Sequence, residues 1–150
     1  MNSRRRTLFR LLGCALLAGL LHPARLLAAQ WNKAAFEARN VDDALKGMGI
    51  ASVTETPLIR LKVPEIAENG SIVPLEITSE VPDTQAIYIV VDKNTQPMVG
   101  AFEFAGDAVP FVATRIKMTE SSRVRFIVKA GGAFLGTNRD IKVTIGGCGA

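Results

Sequence analysis

From Pro57 onward the chain is a succession of short runs rich in β-branched and aromatic residues, each closed by residues that turn the backbone. No helical crossover pattern separates them. Such runs suit a pleated, half-buried surface, and they predict strands over residues 58–63, 71–79, 86–92, 99–104, 111–118, 123–130 and 139–145. The breaks fall at Glu68-Asn69-Gly70, Pro82-Asp83, Asn94 to Pro97, Ala105-Gly106-Asp107, Glu120-Ser121-Ser122 and Gly131-Gly132. About seven strands at this spacing define a mainly β chain and predict an immunoglobulin-like β-sandwich.

Alternation supports the last two strands. Val124, Phe126 and Val128 fall on one face, and Ile141, Val143 and Ile145 do the same, so the apolar face should hold the final strand to the sheet as far as Ile145. Ahead of the strands lies a short helical segment. Asn32 and Asn40 are placed to cap two turns, Asp42 and Asp43 suit the first turn of the second, and Gly47 stops it. Trp31, Phe36, Leu45 and Met48 are its expected packing face.

Residues 1–29 read as an export signal. Arg4, Arg5, Arg6 and Arg10 precede an apolar run from Leu11 to Leu21, too short to span a bilayer, and Leu27-Ala28-Ala29 supplies a small-residue cleavage site before Gln30. The order Arg5-Arg6-Thr7-Leu8-Phe9-Arg10, with Arg25 near the cleavage site, favours the twin-arginine class over an ordinary secretory signal. A periplasmic location with no stable membrane anchor follows. Leu11-Leu12-Gly13-Cys14 mimics a lipobox, but the apolar run follows it instead of preceding it, so Cys14 reads as part of that run.

Cleavage there removes five of the 18 basic side chains and none of the 14 acidic ones, leaving a net charge of −1. The basic balance of the whole chain belongs to the signal, and nucleic-acid binding loses its electrostatic support. The cut also removes His22, the only histidine, and leaves Cys148 as the only cysteine. Catalytic pairs that need an imidazole, histidine- or cysteine-rich metal sites and an internal disulfide are excluded together. No metal and no cofactor are expected.

Cys148 stands among Gly146, Gly147 and Gly149. Glycine lacks the Cβ that restricts the backbone, so residues 146–150 read as a flexible arm placed for reach, beyond a β-sandwich domain over 30–145. No helix N-terminus or adjacent cation activates the thiol locally, since Lys142 lies six residues back. The logic is that of a covalent carrier, which holds a group on a tether while separate enzymes supply the catalysis. Asp42-Asp43 and Glu65 with Glu68 read as helix-start and turn residues, and Arg115 with Lys117 as a solvated sheet face.

The chain resembles the SoxY family, sulfur carriers of the bacterial thiosulfate-oxidising Sox system. The resemblance rests on Phe36-Glu37-Ala38, Asp43-Ala44-Leu45, Ala67-Glu68-Asn69-Gly70, Val73-Pro74, Thr114-Arg115-Ile116-Lys117-Met118, and the run from Lys142 through Gly146-Gly147-Cys148-Gly149. Ala150 departs from the family's usual last glycine. The resemblance implies a heterodimer with a SoxZ-like β-sandwich subunit and covalent attachment of sulfur intermediates to Cys148. It also implies transient contacts with a haem-containing thiosulfate-conjugating enzyme, a sulfate-releasing hydrolase and a sulfane dehydrogenase, with no turnover by the carrier itself. Two rivals stand beside it: a secreted β-sandwich interaction subunit whose cysteine forms an intermolecular disulfide, and a thiol oxidoreductase, which would lack a resolving cysteine.

Overall fold

A computed structural model describes residues 32–145. Its two helices are short, α1 over Lys33–Phe36 and α2 over Val41–Gly47, and each is capped as its sequence predicts. The Asn32 side chain accepts from the Ala35 amide at 3.1 Å and donates to the Gly47 carbonyl at 2.8 Å, which ties the two helices together. Asn40 accepts from the Asp43 amide at 2.8 Å. Asp42 and Asp43 thus occupy the first turn, where the helix dipole favours negative charge.

Nine strands follow: β1 Thr54–Glu55, β2 Ile59–Lys62, β3 Ile66–Asn69, β4 Val73–Ser79, β5 Thr84–Val91, β6 Met98–Glu103, β7 Phe111–Ile116, β8 Ser122–Ala130 and β9 Ala133–Ile145. The larger sheet runs β1-β9-β8-β5-β6, with β3 also paired to β9, and the smaller runs β2-β4-β7. This is the immunoglobulin-like sandwich the sequence predicts.

Three details differ from the sequence reading. β1 and β3 are extra, and β9 begins at Ala133 instead of residue 139. All three depend on non-local pairing. β1 and β3 are short and lie parallel to successive stretches of β9, Thr54 opposite Leu135 and Ile66 opposite Lys142. The early part of β9 pairs with β8 across a two-residue hairpin in which Gly131 and Gly132 both have positive φ, 54° and 82°. That conformation is the one whose twist matches the flanking strands, and only glycine adopts it without penalty.

The core explains why β5 reads as an unbroken apolar run. Ile87, Ile89 and Val91 face the smaller sheet together with Val124, Phe126, Val128 and Ile141. Ala86, Tyr88 and Val90 face the other way, beneath Ala38, Ala44 and Ile50, with Phe36, Leu45 and Met48 partly buried against them. The expected packing face of the helices is therefore confirmed for those three residues; Trp31 lies outside the described residues. A strand covered on both faces needs apolar residues at every position.

Burial does not continue to the end of β9. Ile141 is 1% exposed, Val143 is half-buried and Ile145 is 69% exposed, although all three share a face. The expectation that apolar packing holds the strand as far as Ile145 is thus corrected: the core reaches Val143, and Ile145 lies beyond it. Phe126→Ala should accordingly lower stability by about 3–5 kcal/mol, the usual effect of emptying a packed core position. Ile145→Ala should change it by less than about 0.5 kcal/mol, as at other exposed sites. Urea unfolding of the two variants checks both.

Candidate functional site

Cys148, Gly146, Gly147 and Gly149 lie outside the described residues, as do residues 1–31. What the structure describes is the strand that leads to the cysteine, and how firmly its end is held.

The last residues of β9 are hydrogen-bonded on both edges. On one edge β3 runs parallel: the Lys142 amide donates to the Glu65 carbonyl at 2.9 Å, and the Gly70 amide donates to the Ile145 carbonyl at 2.8 Å. The Thr144 hydroxyl adds a bond to the Glu68 carbonyl at 2.8 Å. On the other edge β8 stops at Ser122, opposite Ile141. There the Ser121 side chain takes over the ladder, accepting from the Val143 amide at 2.9 Å and donating to the Val143 carbonyl at 3.4 Å. A serine hydroxyl can do both because it is donor and acceptor at once.

The turn after β3 is itself braced. Asn69 accepts from the Ser71 amide through its side chain at 2.8 Å, and the Met118 amide donates to the Gly70 carbonyl at 2.7 Å. Ala67-Glu68-Asn69-Gly70 therefore acts as a bracket along β9 and not as a simple break. Sequence reasoning missed this role. The one local signal was an Ile-Ala pair between Pro64 and Asn69-Gly70, too short to distinguish a strand from a loop.

Charge around this bracket is mixed. Lys93 pairs with Glu120 at 3.3 Å and Arg123 with Asp140 at 3.1 Å, while Lys142 makes no ion pair among the described residues. Lys142, Arg123, Lys93 and Ser121 border an open hollow of about 360 Å³. Arg115 and Lys117 are exposed, as a solvated sheet face should be, and border another of about 380 Å³ with Asn94 and Thr119. Glu65 and Glu68 are exposed and serve the bracket through their backbones.

Two pKa shifts arise, neither at the end of β9. Arg125 donates to both carboxylate oxygens of Asp92, at 2.6 and 2.9 Å, and that bonding raises its pKa against the opposing effect of burial. Burial, and secondarily Glu103, raises the pKa of Tyr88. Both groups keep their ordinary neutral-pH charge and belong to the framework.

Residues 32–145 contain neither histidine nor cysteine. Among the described residues no group of three His, Cys, Asp or Glu side chains could hold a metal ion, and no helix is long and apolar enough to cross a membrane.

The fold and this strand end define an immunoglobulin-like scaffold whose final strand is clamped until three residues before a glycine-flanked cysteine. The chain belongs to the SoxY family: the family model described as sulfur oxidation protein SoxY matches residues 45–148, a span that includes Cys148. Among solved structures, the sulfur carrier protein SoxY from Chlorobium limicola f thiosulfatophilum is 34% identical, with a TM-score of 0.64, covering 75% of this chain and 99% of that one. A lytic polysaccharide monooxygenase from Jonesia denitrificans also matches, at 14% identity and a TM-score of 0.39 over 62% of this chain and 58% of that one, too weakly to inform function. No curated protein matches.

If the bracket is what holds the end of β9, Ser121→Ala should weaken that end by about 1 kcal/mol, the net worth of a typical hydrogen bond. Hydrogen exchange at the Val143 amide should then quicken about fivefold while Phe126 keeps its protection. Unchanged exchange at Val143 would show that the hydroxyl bond contributes nothing.

Proposed function

We propose that this chain is a periplasmic carrier of sulfur intermediates, exported on a twin-arginine signal, and that Cys148 is the point of covalent attachment. The observation that carries the proposal is the match of the family model through Cys148 itself, on a fold whose bracketed strand ends at Ile145.

Conjugation joins the thiol sulfur to the outer sulfur of thiosulfate. The product is a Cys–S–S–SO₃⁻ thiosulfonate, one proton is released, and two electrons pass to a haem-containing enzyme. Hydrolysis of the terminal S–S bond by water then releases sulfate and a proton and leaves a persulfide on the cysteine. In some bacteria a sulfane dehydrogenase oxidises that remaining sulfur, drawing oxygen from water and taking up the electrons released. None of these steps uses a base or metal of the carrier. The carrier's part is to hold the sulfur while the bonds are made and broken elsewhere.

Gly146, Gly147 and Gly149 serve this role by presenting no side chain along the path to the thiol, which lets a narrow segment enter a channel. A SoxZ-like subunit accompanies the chain as its partner.

Cys148→Ser should leave folding and pairing with the partner subunit unchanged and abolish thiosulfate oxidation by the reconstituted system. Retained oxidation would refute attachment at this residue. Gly147→Pro should slow both loading and sulfate release, because proline fixes φ in the segment. Loading and release at the parent rate would remove the argument from glycine.

A further inference from the structure

The described residues expose seven large hydrophobic side chains, and they are not scattered evenly. Ile72 and Ile145, 59% and 69% exposed, lie at the end of the sandwich where β9 finishes. The pairing shows their closeness: Asn69 is opposite Ile145, Gly70 bonds to it, and the Ile72 amide donates back to the Asn69 carbonyl. Ile66, 58% exposed, starts the same bracket opposite Lys142. We propose that Ile72 and Ile145 form an apolar collar that seats against the channel mouth of the enzymes acting on Cys148, and that those mouths carry an apolar rim.

The proposal rests on the carrier reading, and the length of the tether makes it specific. Cys148 is three residues beyond Ile145, so at 3.3–3.6 Å per residue its Cα lies no more than about 10–11 Å from that of Ile145. An enzyme that buries the cysteine-borne group deeper than a side chain or two must therefore touch the end of the sandwich. The residues that meet it first are those around the start of the tether.

Charge does not offer an equal alternative. Around the collar Lys93 is neutralised by Glu120 and Arg123 by Asp140, and the remaining Arg115, Lys117 and Lys142 stand among the exposed Glu65 and Glu68. A rim of mixed sign gives little net steering, whereas exposed apolar side chains gain on any contact that excludes water. The enzyme met here is consequently recognised by apolar fit, and the contact should be weak and fast, as two or three partly exposed side chains allow.

The test uses the heterodimeric complex after treatment with tetrathionate, which transfers a thiosulfonate to the thiol and releases thiosulfate. Sulfate release by the hydrolase that removes the terminal sulfonate is then measured. Ile72→Glu and Ile145→Glu should take up the adduct to the same mass and extent as the parent protein, since neither residue is buried. Each should raise the apparent KM about tenfold with kcat unchanged, and the effect should persist from about 0.05 to 0.5 M salt, where surface charge interactions are largely screened. Val109→Glu, equally exposed but at the opposite end of the smaller sheet, should leave KM unchanged.

Parent-like KM values for both isoleucine variants overturn the collar while leaving the carrier reading intact. So does a larger, salt-sensitive effect from Lys117→Gln or Lys142→Gln, or a concentration-dependent self-association of the complex that Ile72→Glu abolishes, which would make a second copy the occupant. Failure of the parent protein to accept the adduct at all would remove the carrier reading, and the collar with it.

Discussion

The arrangement around β9 is the constraint on which the rest of the molecule depends. This strand is bonded along one edge by β8 and then by the Ser121 hydroxyl, and along the other by β1 and then by β3. As far as Val143 it is part of the core or packed against it, through Ile141 and the half-buried Leu135 and Val143. Its last residues leave the core behind but keep their ladder. A strand that loses apolar cover would fray if only one edge were bonded, since an exposed backbone hydrogen bond contributes about 1 kcal/mol at best. Bonds on both edges let it run past the core and still end at a defined point.

That division of labour separates stability from function. The sandwich is held by Phe126, Leu75, Ile77, Ile87, Ile89 and their neighbours, all of them effectively without solvent exposure. The helices add a second apolar layer outside the larger sheet, which is why β5 is buried on both faces. Neither core includes Ile72 or Ile145, so substitutions in the collar need not disturb the fold. Conversely, the chemistry proposed for Cys148 asks of the fold only a fixed starting point and a surface that can meet several enzymes in turn.

Much of this was legible in the sequence, and what was not has a physical cause. The alternation in β8 and in the end of β9, the asparagine caps and the break at Gly131-Gly132 were all visible because they are local, depending on periods of two residues or on single backbone preferences. The mainly β sandwich followed from them. β1 and β3 were invisible because two to four residues carry no period and their pairing is decided by a partner some 80 residues away. The exposure of Ile145 has a related cause: alternation tells which face a side chain shares, but only tertiary packing decides whether that face is covered at a given residue. Of the candidate site, the cysteine and its glycines stood out by residue type, while the bracket built from Glu65, Glu68, Gly70 and Ser121 acts through backbone atoms and one hydroxyl and has no compositional signature.

The central claim is that Cys148 carries the sulfur while other enzymes work on it, and intact-mass measurement with peptide mapping of the chain isolated during thiosulfate turnover tests it most directly. The account predicts reducible adducts of thiosulfonate and persulfide mass, confined to the peptide containing Cys148, whose proportions change when the sulfate-releasing hydrolase is withheld. A chain recovered wholly unmodified, or solely as a permanent disulfide through Cys148, would contradict it.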